Sequence, residues 1–68
     1  MGNIENKILM SFLKLKKGQY KINDLFVSFP DNFYDVNECE IMEKKNCGKV
    51  WTVRISNNFN ILDIYEIN

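Results

Sequence analysis

The 68-residue sequence predicts an α+β fold: an N-terminal amphipathic helix packed on an antiparallel β-meander of three to four strands. Three observations predict it. Ile4, Ile8, Phe12 and Leu15 recur at helical spacing near the start of the chain. Residues 38–42 alternate, with Cys39 and Ile41 set between Glu38, Glu40 and Met42. Residues 50–55 are rich in β-branched and aromatic side chains and lead through Asn57-Asn58 into a second apolar run.

The helix is expected from about Ile4 to Lys17. Asn3 is a suitable cap and Glu5 an acidic residue in the first turn. Leu9 and Leu13 widen the apolar stripe, while Lys7, Ser11 and Lys14 line the opposite side. Lys16 and Lys17 suit the negative end of the helix dipole, and Gly18 is a natural stop. Residues 20–29 fit two descriptions. Ile22, Leu25, Phe26 and Phe29 suit a short helix capped by Asn23, whereas Leu25, Val27 and Phe29 suit a strand. Pro30 ends either one, and Pro30-Asp31-Asn32 reads as a turn.

Over residues 36–45 a helical reading scatters the apolar side chains around the whole wheel, so a strand is favoured. Lys45-Asn46-Cys47-Gly48-Lys49 then suits a three-residue hairpin loop, a type I turn closed by a glycine bulge. Trp51, Val53 and Ile55 share one face of the next strand. A two-residue turn at Asn57-Asn58 would set Trp51 opposite Ile64, Val53 opposite Leu62, Lys49 opposite Glu66 and Thr52 opposite Asp63. Trp51 reads as core in that setting rather than as a binding platform. The competing architecture is a winged helix-turn-helix, with helices at 4–17, 23–29 and 33–45 and a hairpin at 49–67. Its third helix lacks a common apolar face.

Length and composition point to one small α+β domain over residues 1–68. A chain this short has little room for a deep pocket. It is 46% hydrophobic with zero net charge, which does not match the composition of disordered chains. Two cysteines are too few for a disulfide framework and suit free thiols in a cytoplasmic protein. No apolar run reaches the ~20 residues of a membrane span, and the N-terminal charges lie on the wrong side for a signal peptide. Met1-Gly2 begins like a myristoylation site, but Asn6 stands where serine or threonine is needed. Asparagine, isoleucine and lysine are abundant and alanine is absent, as an AT-rich genome would produce.

Catalysis has few candidate groups. There is no histidine to serve as a general base near neutral pH. Cys39 and Cys47 lack a histidine to activate them and cannot close a zinc site by themselves. Gly2, Gly18 and Gly48 stand too far apart for a phosphate loop. The expectation is therefore no catalytic residue, no cofactor, no metal and no small-molecule substrate.

Charge order is the least ordinary feature. Lys7, Lys14, Lys16, Lys17 and Lys21 form an uninterrupted positive run. Asp24, Asp31, Asp35, Glu38, Glu40 and Glu43 form a negative one, and Lys44, Lys45, Lys49 and Arg54 are positive again. Folding can neutralise the blocks, for instance with Glu40 opposite Arg54. The functional alternative is an exposed acidic face that steers the chain to a basic, nucleic-acid-binding protein. Asp31, Phe33, Tyr34, Asp35, Glu38 and Glu40 are the expected contact residues. By analogy of size and composition alone, such a protein acts as a phage or mobile-element inhibitor that occludes a host or defence protein, as anti-CRISPR proteins do. The competing expectation is a winged-helix transcriptional regulator that contacts nucleic acid through Lys14, Lys16, Lys17 and Lys21. A homodimer is a third arrangement, since exposed strand edges invite self-association.

Overall fold

The computed structural model describes residues 3–67. A 14-residue helix α1 (Asn3–Lys16) is followed by a 3-10 turn (Ile22–Asp24), strand β1 (Leu25–Ser28), a one-turn helix α2 (Phe33–Val36), and strands β2 (Glu38–Glu43), β3 (Val50–Ile55) and β4 (Ile61–Ile67). The strands form one antiparallel sheet in the order β1-β2-β3-β4. This is the expected helix on a four-stranded meander. The ambiguous stretch at 20–29 is partly both of its readings, a helical turn that runs into a strand. The winged arrangement needs a helix over 33–45; the structure has α2 and β2 there.

Helix α1 lies on one face of the sheet. Ile8, Leu9 and Phe12 are buried there, with Ile4 and Leu13 packed against them. Leu15, expected in that stripe, is 54% exposed, and in that last turn it is Lys16 that lies against the aromatic core. The helix stops at Lys16, one residue early, since Lys17 and Gly18 take left-handed conformations (φ 47° and 82°). The capping side chain of Asn3 and the Met1-Gly2 pair lie outside what is described. Ser11, expected on the solvent side, is half-buried, and its Oγ accepts a 3.1 Å hydrogen bond from the Ile61 N–H. That bond ties the middle of α1 to the start of β4.

The sheet contributes Leu25, Val27, Cys39, Ile41, Trp51, Val53 and Ile55 to the same core. Trp51 is 1% exposed and packs edge-on with Phe12 (4.8 Å between centroids) and Tyr20 (5.2 Å), as aromatic quadrupoles favour. Lys16 Nζ lies 5.8 Å from the ring centres of both Phe12 and Trp51.

Both hairpin loops differ from expectation. In the first, Lys45 O accepts from Gly48 N–H, and the left-handed residue is Cys47 (φ 58°) rather than the glycine. Gly48 is needed for space: a Cβ there would sit 2.5 Å from Glu43 Cβ and 2.8 Å from Lys45 O. The second loop spans Ser56 to Asn60 and is longer than a two-residue turn. Ser56 Oγ accepts from the N–H groups of Asn58 and Asn60, and Phe59 takes the left-handed conformation (φ 63°). The register therefore moves by two residues. Val53 faces Ile64, Thr52 faces Tyr65, Trp51 faces Glu66 and Arg54 faces Asp63. Leu62 becomes the extra residue of a bulge and is 55% exposed. Lys49 and Glu66 still meet at 3.8 Å, but diagonally. Among the described residues no helix is long and apolar enough to cross a membrane.

Candidate protein-binding surface

Side chains alternate across a strand, so the positions between the core residues point away from α1. On that outer face the register lines up three rows. Phe26, Met42, Val50 and Ile67 form one row across all four strands. Ser28, Glu40, Thr52 and Tyr65 form the next. Glu38, Arg54 and Asp63 form the third. Val36 of helix α2 and its cap Asn32 flank this face near Glu38 and Glu40. Between α2 and the sheet lies an open groove of about 380 Å³, lined by Pro30, Asn32, Val36, Glu38, Glu40 and Thr52 among others.

Helix α2 is a single turn held at both ends. Phe33 N–H donates to Pro30 O, and Asn37, in the left-handed conformation, donates to Phe33 O at 2.7 Å. Asn37 O in turn accepts from Ile55 N–H, which fixes α2 to the end of β3. The turn sorts its side chains. Phe33 is buried, at 5% exposure, with its ring 4.7 Å from Phe29 and 4.9 Å from Tyr34. Tyr34 is 74% exposed, and Asp31 and Asp35 are exposed as well. Phe33 is therefore corrected from a partner contact to the anchor of the segment that carries Tyr34 and Asp35. Glu38 and Glu40 stand half-exposed on the outer face of β2, beside the groove.

The neutralising partner expected for Glu40 does not face it. Thr52 lies opposite Glu40, and Glu38 lies opposite Arg54. Arg54 turns to the other neighbouring strand instead. Its Nε and one terminal nitrogen both donate to an Asp63 carboxylate oxygen, at 2.9 and 2.6 Å. These hydrogen bonds and the Asp63 charge raise the Arg54 pKa further above its ordinary value. Among the described residues, no ion pair involves Asp31, Asp35, Glu38 or Glu40. Glu43 leaves the acidic group: its carboxylate accepts the Lys49 N–H at 2.6 Å and meets Lys45 Nζ at 3.8 Å, which closes the hairpin loop.

The basic residues are elsewhere. Lys14, Lys16 and Lys17 sit at the C-terminal end of α1, and Lys21 in the connection that follows. Lys16 is half-buried against the aromatic core, while Lys14, Lys17 and Lys21 are exposed. Folding thus keeps a basic helix end and an acidic α2–β2 surface apart. Sequence reasoning missed the apolar members of the outer face: Phe26, Met42, Val50, Tyr65 and Ile67. Their positions between core residues on each strand were the available signal.

The two thiols differ sharply. Cys47 is exposed in the hairpin loop, whereas Cys39 is 2% exposed. Burial, and secondarily the neighbouring Glu40 charge, raise the Cys39 pKa from 9.0 to about 11. The fold therefore favours the neutral thiol. Stability from this group is present below the unfolded pKa and is lost as pH rises from about 9 toward about 11. A disulfide-exchange reagent at pH 8 is expected to titrate one thiol per chain at once, and the second only in denaturant. Prompt reaction of both would contradict the burial of Cys39.

No protein-family model, curated protein or solved structure matches this chain, so its function is inferred from these residues alone.

Proposed function

We propose that this chain is a non-enzymatic protein-binding module whose acidic α2–β2 surface occupies a basic surface on a partner protein, in competition with that partner's nucleic acid. Tyr34 is the exposed aromatic anchor, Asp35 and Glu38 are the central charges, and Asp31 and Glu40 flank them. The inhibitory role and the phage or mobile-element setting belong to the same proposal, by analogy of size, charge order and AT-rich composition with anti-CRISPR proteins.

One observation carries the reading. Glu38 and Glu40 line an open groove, and Asp31, Asp35 and the 74%-exposed Tyr34 are exposed on the adjoining segment, with no internal cation paired to any of the four acids among the described residues. Unpaired like charges on one surface repel one another, and a cationic partner relieves that repulsion. Arg54 is the nearest cation by register and is committed to Asp63. Tyrosine is enriched at protein interfaces and among the residues that carry most of their binding energy.

Affinity capture with the wild-type chain and with the D35K/E38K variant as baits, from cells that express the protein, tests the proposal. The expected result is a basic protein retained by the wild type, released by salt and lost by the variant, with both baits giving the same circular dichroism. Identical capture by both baits would contradict it. A parallel titration with duplex DNA at two salt concentrations separates the alternative. Salt-sensitive binding at micromolar concentration, abolished by reversing Lys14, Lys17 and Lys21, would instead support a nucleic-acid-binding regulator.

A further inference from the structure

The apolar row on the outer face is not explained by an acidic contact surface. Phe26, Met42, Val50 and Ile67 lie side by side across the whole width of the sheet. Phe26 and Ile67 are 41% and 46% exposed, and Tyr65 in the adjoining row is 59% exposed. A band of this kind on one face, with charges on both sides of it, is the pattern of an interaction surface.

We infer that this row is the interface of a homodimer, formed when a second copy stacks face to face about a two-fold axis lying along the row. The charges flanking the row determine the choice of occupant. Strand β2 carries Glu40 on one side of Met42 and Lys44 on the other. Lys44 extends the sheet by one step, because its N–H donates to Asp24 O at 2.9 Å, and by alternation it shares the face of Met42 and Glu40. A two-fold axis along the row reverses strand direction between copies. It therefore stacks Met42 on Met42, sets Glu40 of each copy over Lys44 of the other, and sets Ser28 over Asp24. Among the described residues no like-charged pair is stacked directly.

An axis along the strands is disfavoured. It would lay the Glu40 row and the Glu38, Arg54 and Asp63 row inside the interface, where desolvating four charged side chains costs more than their pairing returns. The arrangement along the row leaves those charges at the rim in contact with water. It also leaves Tyr34, Asp35 and Glu38 free at both ends of the dimer and engages only the flanking Glu40 of the acidic surface, so the inference goes beyond that proposal, and K44E, which alters no residue of the acidic surface, tests it separately. A contact of four apolar side chains per copy is small, and the dimer is expected to be concentration-dependent.

Sedimentation equilibrium on the full chain tests the inference. The wild type is expected to show a monomer–dimer equilibrium. Because of the two-fold axis, E40K or K44E alone turns two attractions into two repulsions and is expected to weaken the dimer about tenfold. The double variant E40K/K44E is expected to recover the wild-type constant, which a general loss of folding or a change in net charge would not do. M42K, which stacks lysine on lysine, is expected to be monomeric with unchanged circular dichroism. A wild type that stays monomeric up to concentrations on the order of 1 mM would overturn the inference. So would a dimer indifferent to E40K and K44E, including one that pairs through the β4 edge.

Discussion

Replacing Trp51 with alanine is expected to leave the chain largely unfolded at room temperature. Trp51 is 1% exposed and stands where α1, Tyr20 and β3 meet, with Phe12 and Tyr20 edge-on to its ring at 4.8 and 5.2 Å. Truncating a buried large aromatic costs about 3–5 kcal/mol through lost transfer energy and the cavity left behind. A domain of this length holds about 3–10 kcal/mol in total. Few core side chains surround the site, so little can collapse into the gap. Trp51→Phe should be much milder. It keeps an aromatic between the same two rings and removes an indole N–H that meets no acceptor among the described residues. Urea titrations followed by far-ultraviolet circular dichroism measure both variants. A shift of less than about 1 kcal/mol for Trp51→Ala would contradict the placement of this ring at the centre of the core.

The second large effect is expected at Phe33. This ring is the only core contribution of α2, at 5% exposure, and the turn around it spans Pro30 to Asn37. Phe33→Ala is expected to cost about 3 kcal/mol, and to do so by releasing α2 from the sheet. The signature is local. The amide of Asn37, which donates to Phe33 O, and that of Ile55, which donates to Asn37 O, should lose protection from hydrogen exchange beyond the global loss. Because α2 carries Tyr34 and Asp35, the variant should also weaken partner capture without touching either contact residue. Phe33→Leu, which refills most of the space, should restore both properties. Unchanged exchange at Asn37 and Ile55 in Phe33→Ala would show that the aromatic anchor is not what holds the surface.

These cases mark what the sequence could and could not reveal. Helix α1 and strand β3 were legible because their apolar spacing repeats over enough residues to fix both period and face. The β3–β4 pairing was legible only in part. A shift of two residues keeps every side chain on its own face, so alternation cannot detect it. Val53 meets apolar Ile64 as comfortably as it would meet Leu62. What fixes the true register is the loop, where Ser56 Oγ gathers two N–H groups and Phe59 takes a conformation rare for an aromatic residue. Asn57-Asn58 gave a stronger local signal for a shorter turn.

The acidic surface was legible as a run of charge, but not its membership. Phe33 and Tyr34 are adjacent and chemically alike, and only the geometry of a single helical turn sends one inward and the other outward. Glu43 belongs to the same run, yet the hairpin loop consumes it. Glu40 and Arg54 looked like partners across the first hairpin, but the observed register sets Glu38 opposite Arg54, and Arg54 turns to Asp63. In each case the deciding contact comes from a neighbouring strand or loop, and spacing along the chain does not encode it.

The most direct test is a backbone-amide chemical-shift map of the chain titrated with the captured partner. The account predicts that the perturbed amides cluster at residues 31–40, centred on Tyr34, Asp35 and Glu38, and that D35K/E38K removes the perturbation. Shifts confined to residues 14–21 at the basic end of α1 would contradict it.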